Sequence, residues 1–501
     1  MFTVEFVLRV TPQQVNILEK RFEAARMVYN AILSEALKRY DMVVATTEYQ
    51  QVRQVFLQAK ADNPKGEHKK LLDVCYKVFW EQAKIYGLGK SYIFMDEAKY
   101  KVKGMASTFS GTWIHDHIDS RIFNTVNKRV MVAMARYTSK GNPKKYRPKF
   151  KQYGTMESVE GDNNKAPLRF LLADNHVIWR TKSGTLTIPA KVDFDNPTHV
   201  HALTSEIKQV RIVKRVIKGL DYYYTQLICD GQPLQRTPVG SGVVGLDIGP
   251  STIAIVSEDK AKLTMFCSEL DDISQKIAVL QRKLGRQRRA NNPQNYQADG
   301  TIKKEQYKLI KSEGYKETHL KLTELSRKQA AYRKSLHGQL VNEIVAMGNV
   351  INIEKISYVA FQKMFGKSVG KRAPGMFVAK LRQRHEAGVI GLSEFSTRNT
   401  KLSQVCHGCG AVIKKSLSKR WHKCECGIVA QRDLYSAFLA SCVQDGKLIE
   451  TIAHERWSKV SNLLEAAISD LQGQDARFFI GSFGSKANGE KRLVLREDDL
   501  S

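Results

Sequence analysis

The sequence predicts a multi-domain chain of the α+β class, on three observations. Its 501 residues amount to about three modules at roughly 150 residues each, more than one hydrophobic core organises. Blocks with apolar residues at every second position and blocks with apolar residues at helical spacing occupy separate stretches of the chain. Four of the eight cysteines fall within 21 positions, Cys406 to Cys426, which marks a small metal-bound module in place of a disulfide framework. Cys75, Cys229, Cys267 and Cys442 are scattered and read as ordinary buried residues.

Composition narrows the function classes. There are 80 Lys and Arg against 50 Asp and Glu, a net charge of +30, with a pI near 9.7. Such a chain seeks a polyanion, nucleic acid before acidic protein or membrane surface. The apolar runs reach only about six or seven residues, too short to cross a bilayer, and the opening MFTVEFVLRV carries no cleavage-type segment. A soluble, intracellular protein with no membrane partner is expected.

Phe2, Val4, Phe6, Leu8 and Val10 alternate with polar residues, as a strand with one buried face requires. Thr11-Pro12-Gln13-Gln14 offers a cap, a proline for the first turn and a capping-box glutamine, so a helix of about twenty residues follows. Thr46 to Thr138 reads as a helical lobe, with helices over Tyr49 to Ala61, His68 to Lys84 and Arg121 to Tyr137. His115, Asp116, His117 and Asp119 within it read as a capping or surface arrangement, not a metal cluster.

Lys140 to Lys151 holds six basic residues of twelve and no acid, with Tyr146, Phe150 and Tyr153 interleaved. It is either a solvated loop or a phosphate contact through residues such as Lys149 and Lys151. Arg169 to Asp230 gives short strands broken at Asp174-Asn175, Lys182-Ser183-Gly184 and Lys218-Gly219, a small barrel that the first strand can complete. Leu270, Ile273, Ile277, Leu280 and Leu284 form a helix seam, and Leu322, Leu325, Tyr332, Leu336 and Leu340 its return helix. Sixteen Lys and Arg against five Asp and Glu between Lys276 and Lys334 leave +11 on this hairpin. Arg282, Lys283, Arg286, Arg288, Arg289, Arg327 and Arg333 are its candidate nucleic-acid contacts.

Three acids carry the chemistry. Asp247 lies inside an apolar strand, Val243 to Ile248, before a Gly-Pro-Ser turn and a second strand; a buried carboxylate needs a partner, commonly a cation. Asn349 to Glu354 is another apolar strand, ending in a carboxylate. Asp433 opens Arg432-Asp433-Leu434-Tyr435-Ser436-Ala437, read as a helix with one packed face. Converging carboxylates suit Mg2+, which takes hard oxygen ligands. Two such ions, about 3.5–4 Å apart, support phosphodiester hydrolysis, so a nuclease is expected with Asp247, Glu354 and Asp433 as catalytic metal ligands. Between the second and third acids, Cys406-His407-Gly408-Cys409 and Cys424-Glu425-Cys426-Gly427 have the spacing of a tetrahedral zinc site. One structural Zn2+ on Cys406, Cys409, Cys424 and Cys426 is expected, with His422 or His407 as substitutes for one thiol.

At these residues the chain resembles the TnpB family of transposon-encoded RNA-guided DNA endonucleases. Gly245 to Ser251 (GLDIGPS), the strand ending in Glu354, and a four-cysteine ribbon running into Arg432 to Ala437 look like its split RuvC nuclease. Miniature type V CRISPR effectors share these parts. The likeness reaches upstream to Ala25 through Asn30, Pro148 through Lys151 and the tyrosine-rich hairpin, and is most specific from Gly242 onward. One position departs: Tyr435 stands where the family usually has asparagine.

The resemblance implies a split β-barrel wedge domain with an inserted helical recognition lobe, and an RNase H-like RuvC domain with an inserted helical hairpin and zinc ribbon. In numbers, these are wedge 1–45, recognition lobe 46–137, wedge 138–240, nuclease with basic hairpin 241–400, ribbon 401–432, third-motif helix 433–445 and a partly disordered tail 446–501. It also implies a guide RNA, double-stranded target DNA beside a short motif, two Mg2+ ions, and a cytoplasmic, nucleoid-associated place in a prokaryote. One chain or a homodimer on each RNA is left open. Three alternatives stand beside it: a miniature type V effector, an RNA-guided DNA-binding protein that does not cut, and a guide-independent RNase H-like resolvase or transposase.

Overall fold

The computed structural model describes residues 1–64, 66, 68–88, 111–139, 146–303, 305, 307–416 and 419–472. The part of the expected tail from 473 to 501, the 89–110 part of the helical lobe and the first half of the basic stretch, 140–145, lie outside these residues. The chain divides into two compact units, Met1–Leu234 and Gln235–Ser501.

In the first unit, β1 (Phe2–Leu8) leads into α1 (Pro12–Ala45) through a capping box in which Thr11 and Gln14 satisfy each other's backbone N–H. This helix is longer than its opening signal suggested. No glycine or later proline interrupts it before Thr46, and its buried face runs from Leu18 to Val43. Then come α2 (Thr47–Asp62), α3 (Lys69–Ile85), α4 (Trp113–His117) and α5 (Ser120–Thr138). Asp119 caps α5 by accepting from the N–H groups of Arg121 and Ile122, the capping arrangement expected at this position.

The strands are β2 (Ser158–Glu160), β3 (Leu168–Leu171), β4 (His176–Thr181), β5 (Gly184–Lys191), β6 (Ile207–Ile217) and β7 (Leu220–Cys229). They form a seven-stranded antiparallel sheet ordered β2-β6-β7-β1-β5-β4-β3, with β1 between β7 and β5. The sheet curls until its two edges meet at Gly161, whose N–H reaches the Val210 carbonyl and where a Cβ would lie 2.6 Å from the Leu168 carbonyl oxygen. Phe6, Phe170, Trp179, Ile188 and Ile212 fill its interior. A short helix, α6 (Pro197–Thr204), interrupts the strand series.

The second unit is built on β8 (Val243–Ile248), β9 (Thr252–Val256), β10 (Ala261–Met265), β11 (Val350–Glu354) and β12 (Gly391–Phe395). Their order is β10-β9-β8-β11-β12. The first three run antiparallel, and β8, β11 and β12 run parallel. A hairpin of α7 (Leu270–Asn291) and α8 (Glu313–Met347) separates β10 from β11. Next follow α9 (Tyr358–Arg372), α10 (Pro374–Glu386) and α11 (Thr397–Thr400), then a ribbon of β13 (Trp421–Lys423) and β14 (Val429–Gln431). Two helices end the described chain, α12 (Arg432–Ser441) and α13 (Glu450–Gln472). The latter falls in the stretch read as a tail; Ala453, Val460, Leu464 and Ala467 tie it to α12 and β10 in one core.

Candidate active site

Strand periodicity builds this site. Successive side chains on a strand point to opposite faces. On β8 and β11, Val244, Leu246, Ile248, Ile351 and Ile353 face a core with Phe266, Ile344 and Phe377. The other face belongs to Gly245, Asp247, Asn352 and Glu354, and α12 lies across it. Gly245 permits this approach: a Cβ there would sit 2.0 Å from the Ala437 carbonyl oxygen and 2.4 Å from the Ser441 nitrogen. Asn352 holds the far end of the helix, its Nδ2 donating to the carbonyls of Ala440 at 3.0 Å and Val443 at 2.9 Å.

The parallel register brings the first two acids together. Leu246 stands opposite Ile353, so Asp247 and Glu354, each one residue further on, leave the same carboxyl edge on the same face. Asp433 comes from the first turn of α12. All three line one pocket of about 370 Å3, with Lys355, Lys415 and Arg432.

Electrostatics makes this pocket tense. Burial raises Asp247 well above the ordinary carboxylate range; Asp433 and Glu354 push it further, and Arg432 and Arg420 only partly offset them. Burial moves Glu354 up to about 7. Asp433 is held by its own neighbours: Arg432 Nε and Nη2 donate to Oδ1 at 3.2 and 3.1 Å, and Arg420 Nη1 to Oδ2 at 3.4 Å. Arg432 also donates to the Lys419 carbonyl at 3.0 Å. The three carboxylates therefore share a pocket and a field, while Asp433 is drawn toward the ribbon. Asp247 and Glu354, whose charged forms burial penalises, are hard oxygen donors of the kind that suit a divalent cation, which would remove that penalty.

The ribbon brings four sulfurs together. Sγ of Cys406 and Cys426 are 3.5 Å apart, those of Cys409 and Cys424 3.4 Å, and all four lie within 4.8 Å of one another. Ligands about 2.3 Å from a central Zn2+ in a tetrahedron stand at roughly this separation. Among the described residues this is the group of His, Cys, Asp and Glu side chains gathered closely enough for a single ion. The two histidines considered as substitutes do not join this group: His407 Nδ1 pairs with the Tyr435 hydroxyl at 2.8 Å, and His422 Nδ1 with Lys415 Nζ at 2.5 Å, while Nε2 of each is buried without a hydrogen-bond partner. Cys75, Cys229, Cys267 and Cys442 are buried and unpaired in disulfides.

The expected nucleic-acid contacts separate into two groups. Arg282, Lys283, Arg286 and Arg289 are exposed along α7, and Lys149 is exposed in the first unit. The others have protein partners or less surface: Arg327 makes a bidentate pair with Glu324, Arg333 donates to the Lys371 carbonyl, Arg288 is half-buried, and Lys151 lies over the Tyr29 ring. Sequence reading passed over Arg420 and the packing role of Tyr435. Neither side chain carries a spacing signal of its own; their partners lie on other elements.

Compared with known proteins, residues 3–42 match a family model described as a helix-turn-helix domain, HTH_OrfB_IS605. The match lies in the N-terminal part of the chain, and the motifs that resemble the TnpB family lie in the second unit. The matched segment folds here as β1 and the greater part of the unbroken helix α1. Among solved structures, a chain of a Cas12f1–sgRNA–target DNA complex aligns over 88% of this chain and 98% of its own at 11% identity, with a TM-score of 0.42. A chain of a CRISPR-Cas12f ternary complex aligns over 90% and 100% at 11% identity, with a TM-score of 0.27. No curated protein matches this sequence.

Proposed function

We propose that this protein is an RNA-guided DNA endonuclease of the TnpB kind, cutting at Asp247, Glu354 and Asp433 with Mg2+. One observation carries the reading: two acids leave adjacent parallel strands in the same register and line a single pocket with a third, from a helix seated on a glycine. A mixed five-stranded sheet with acids at its carboxyl edge fits the RNase H-like domain that the motifs imply. Bound there, two divalent ions would activate water and steady the leaving oxygen of a phosphodiester.

The chain's own residues have separate tasks. Asp247 and Glu354 present oxygens from rigid strands, and Asp433 closes the site from α12. Arg432 and Arg420 hold Asp433 by donating to its two oxygens, and would have to yield one of them to any cation bound there. The four thiolates would hold a structural zinc with no open position, ordering the ribbon that feeds α12. Guide RNA and target DNA are the partners; the exposed basic residues of α7 and Lys149 would meet their phosphates.

Replacing Asp247 with alanine should leave RNA binding intact and abolish magnesium-dependent cutting of motif-bearing DNA; cutting that persists refutes the assignment. A second reading, guided DNA binding without cutting, is favoured by the pairing of Asp433 with two arginines. Supercoiled plasmid left intact by the purified RNA complex in Mg2+ would establish that alternative.

A further inference from the structure

Tyr435 is fully buried on α12, two residues beyond Asp433. Its ring lies 4.3 Å from that of His422 and packs against Phe438 and Trp457. Phenylalanine would fill the same space, so packing does not explain the hydroxyl. That hydroxyl accepts from the His407 backbone N–H at 3.0 Å and pairs with His407 Nδ1 at 2.8 Å. His407 is the residue between Cys406 and the turn to Cys409, a turn closed by the Cys406 N–H to Ala411 and the Gly410 N–H to Cys406. One side chain thus touches the backbone of the metal-ligand loop and sits in the turn of helix that carries an acid.

The two ends of α12 are held differently. Its C-terminal end is clamped to the sheet by Asn352. Its first turn leans on the ribbon, through Tyr435 to His407, through Arg432 to the Lys419 carbonyl, and through Asp433 to Arg420. The turn that carries Asp433 therefore takes its position from the ribbon, and the ribbon takes its order from whatever the four sulfurs hold.

We propose that Tyr435 is a positioning residue that couples the two metal sites: zinc on the four thiolates fixes His407, His407 fixes Tyr435, and Tyr435 sets Asp433 for its cation. This rests on the nuclease reading above. Such coupling is reciprocal, so a cation at the acids must also slow the loss of zinc.

The test uses the full chain with its copurified RNA. Mn2+, as a probe for Mg2+, is titrated by electron paramagnetic resonance into zinc-loaded and zinc-stripped protein, wild type, Tyr435→Phe and Asp247→Ala. Zinc release to a chromogenic chelator is followed with and without saturating Mn2+. In the wild type, stripping zinc should weaken Mn2+ binding about 10-fold, and Mn2+ should slow zinc release by a similar factor. Tyr435→Phe should bind Mn2+ more weakly than the wild type even when zinc-loaded, with both dependences reduced to the share carried by Arg432 and Arg420, and its cleavage should lose kcat at unchanged KM for DNA. A Mn2+ affinity indifferent to zinc in the wild type overturns the coupling, and this measurement stands even where the variant does not fold. Coupling in Tyr435→Phe equal to that of the wild type overturns the role of the hydroxyl. Absence of any Asp247-dependent Mn2+ binding overturns the nuclease reading and the coupling together.

Discussion

Asp247 is the residue at which folding and function pull apart. Half-buried in a pocket with two other carboxylates, it disfavours its own charge, so the cation-free protein carries a penalty that Arg432 and Arg420 only partly relieve. Asp247→Asn should raise the unfolding temperature in cation-free buffer, by the equivalent of about 1–3 kcal/mol, while lowering magnesium-dependent cutting more than about 100-fold. Calorimetry and a plasmid assay check the two halves. His337 gives a prediction away from the acids. It is buried against Phe266 and Phe377, and Nε2 meets the Arg372 carbonyl at 2.9 Å. Burial lowers it from 6.5 to about 4. Between those values the unfolded chain binds a proton that the folded one refuses, so this contribution is complete above pH 6.5 and is lost as pH falls toward 4. Unfolding followed over that range should show a stability slope that His337→Phe flattens.

At the scale of elements, α12 is the part whose position matters most, and Gly245 is its seat. Gly245→Ala must push either the helix or β8 aside, at about 1–3 kcal/mol, and should reduce cutting with no loss of bound RNA; unchanged activity would mean that Asp433 tolerates displacement. The strip around residues 146–153 makes another test. Asn30 accepts from the Lys151 N–H and donates to its carbonyl, and Arg147 forks onto Asp41, while Tyr146, Phe150 and Tyr153 stay exposed. Anchored aromatics among lysines suit unpaired bases; Phe150→Ala should weaken RNA binding about 5- to 100-fold, read by filter binding.

These elements also show what the sequence makes legible. The alternation at Phe2 to Leu8, the seam from Leu270 and the apolar runs around Asp247 and Glu354 each match an observed element, because burial on one face leaves a period in the chain. The cysteine pairs predict a metal site because ligand geometry fixes their spacing. The reach of α1 beyond about twenty residues was missed for want of a stop signal. Asn196-Pro197, the cap and first turn of α6, was a helix start signal and went unused. Arg420 and Tyr435 could not be read, since what each touches lies on another element.

For the whole molecule, charge governs partners. A net +30, with the exposed cations of α7, should make binding to nucleic acid strongly salt-dependent. If about ten phosphates are neutralised, the log-log slope should lie near −7 to −9; a flat response would make the basic hairpin ordinary surface. No described helix is long and apolar enough to cross a membrane. The central claim, that three acids distant in sequence form one cation-dependent cutting site directed by RNA, meets its most direct test in a single assay. The copurified RNA complex is incubated with plasmid matching that RNA, with and without Mg2+, beside Asp247→Ala, Glu354→Ala and Asp433→Ala. The account predicts linear product from the wild type in Mg2+ alone and uncut plasmid from all three variants with RNA still bound. Cutting by any variant, or cutting without the cation, would contradict it.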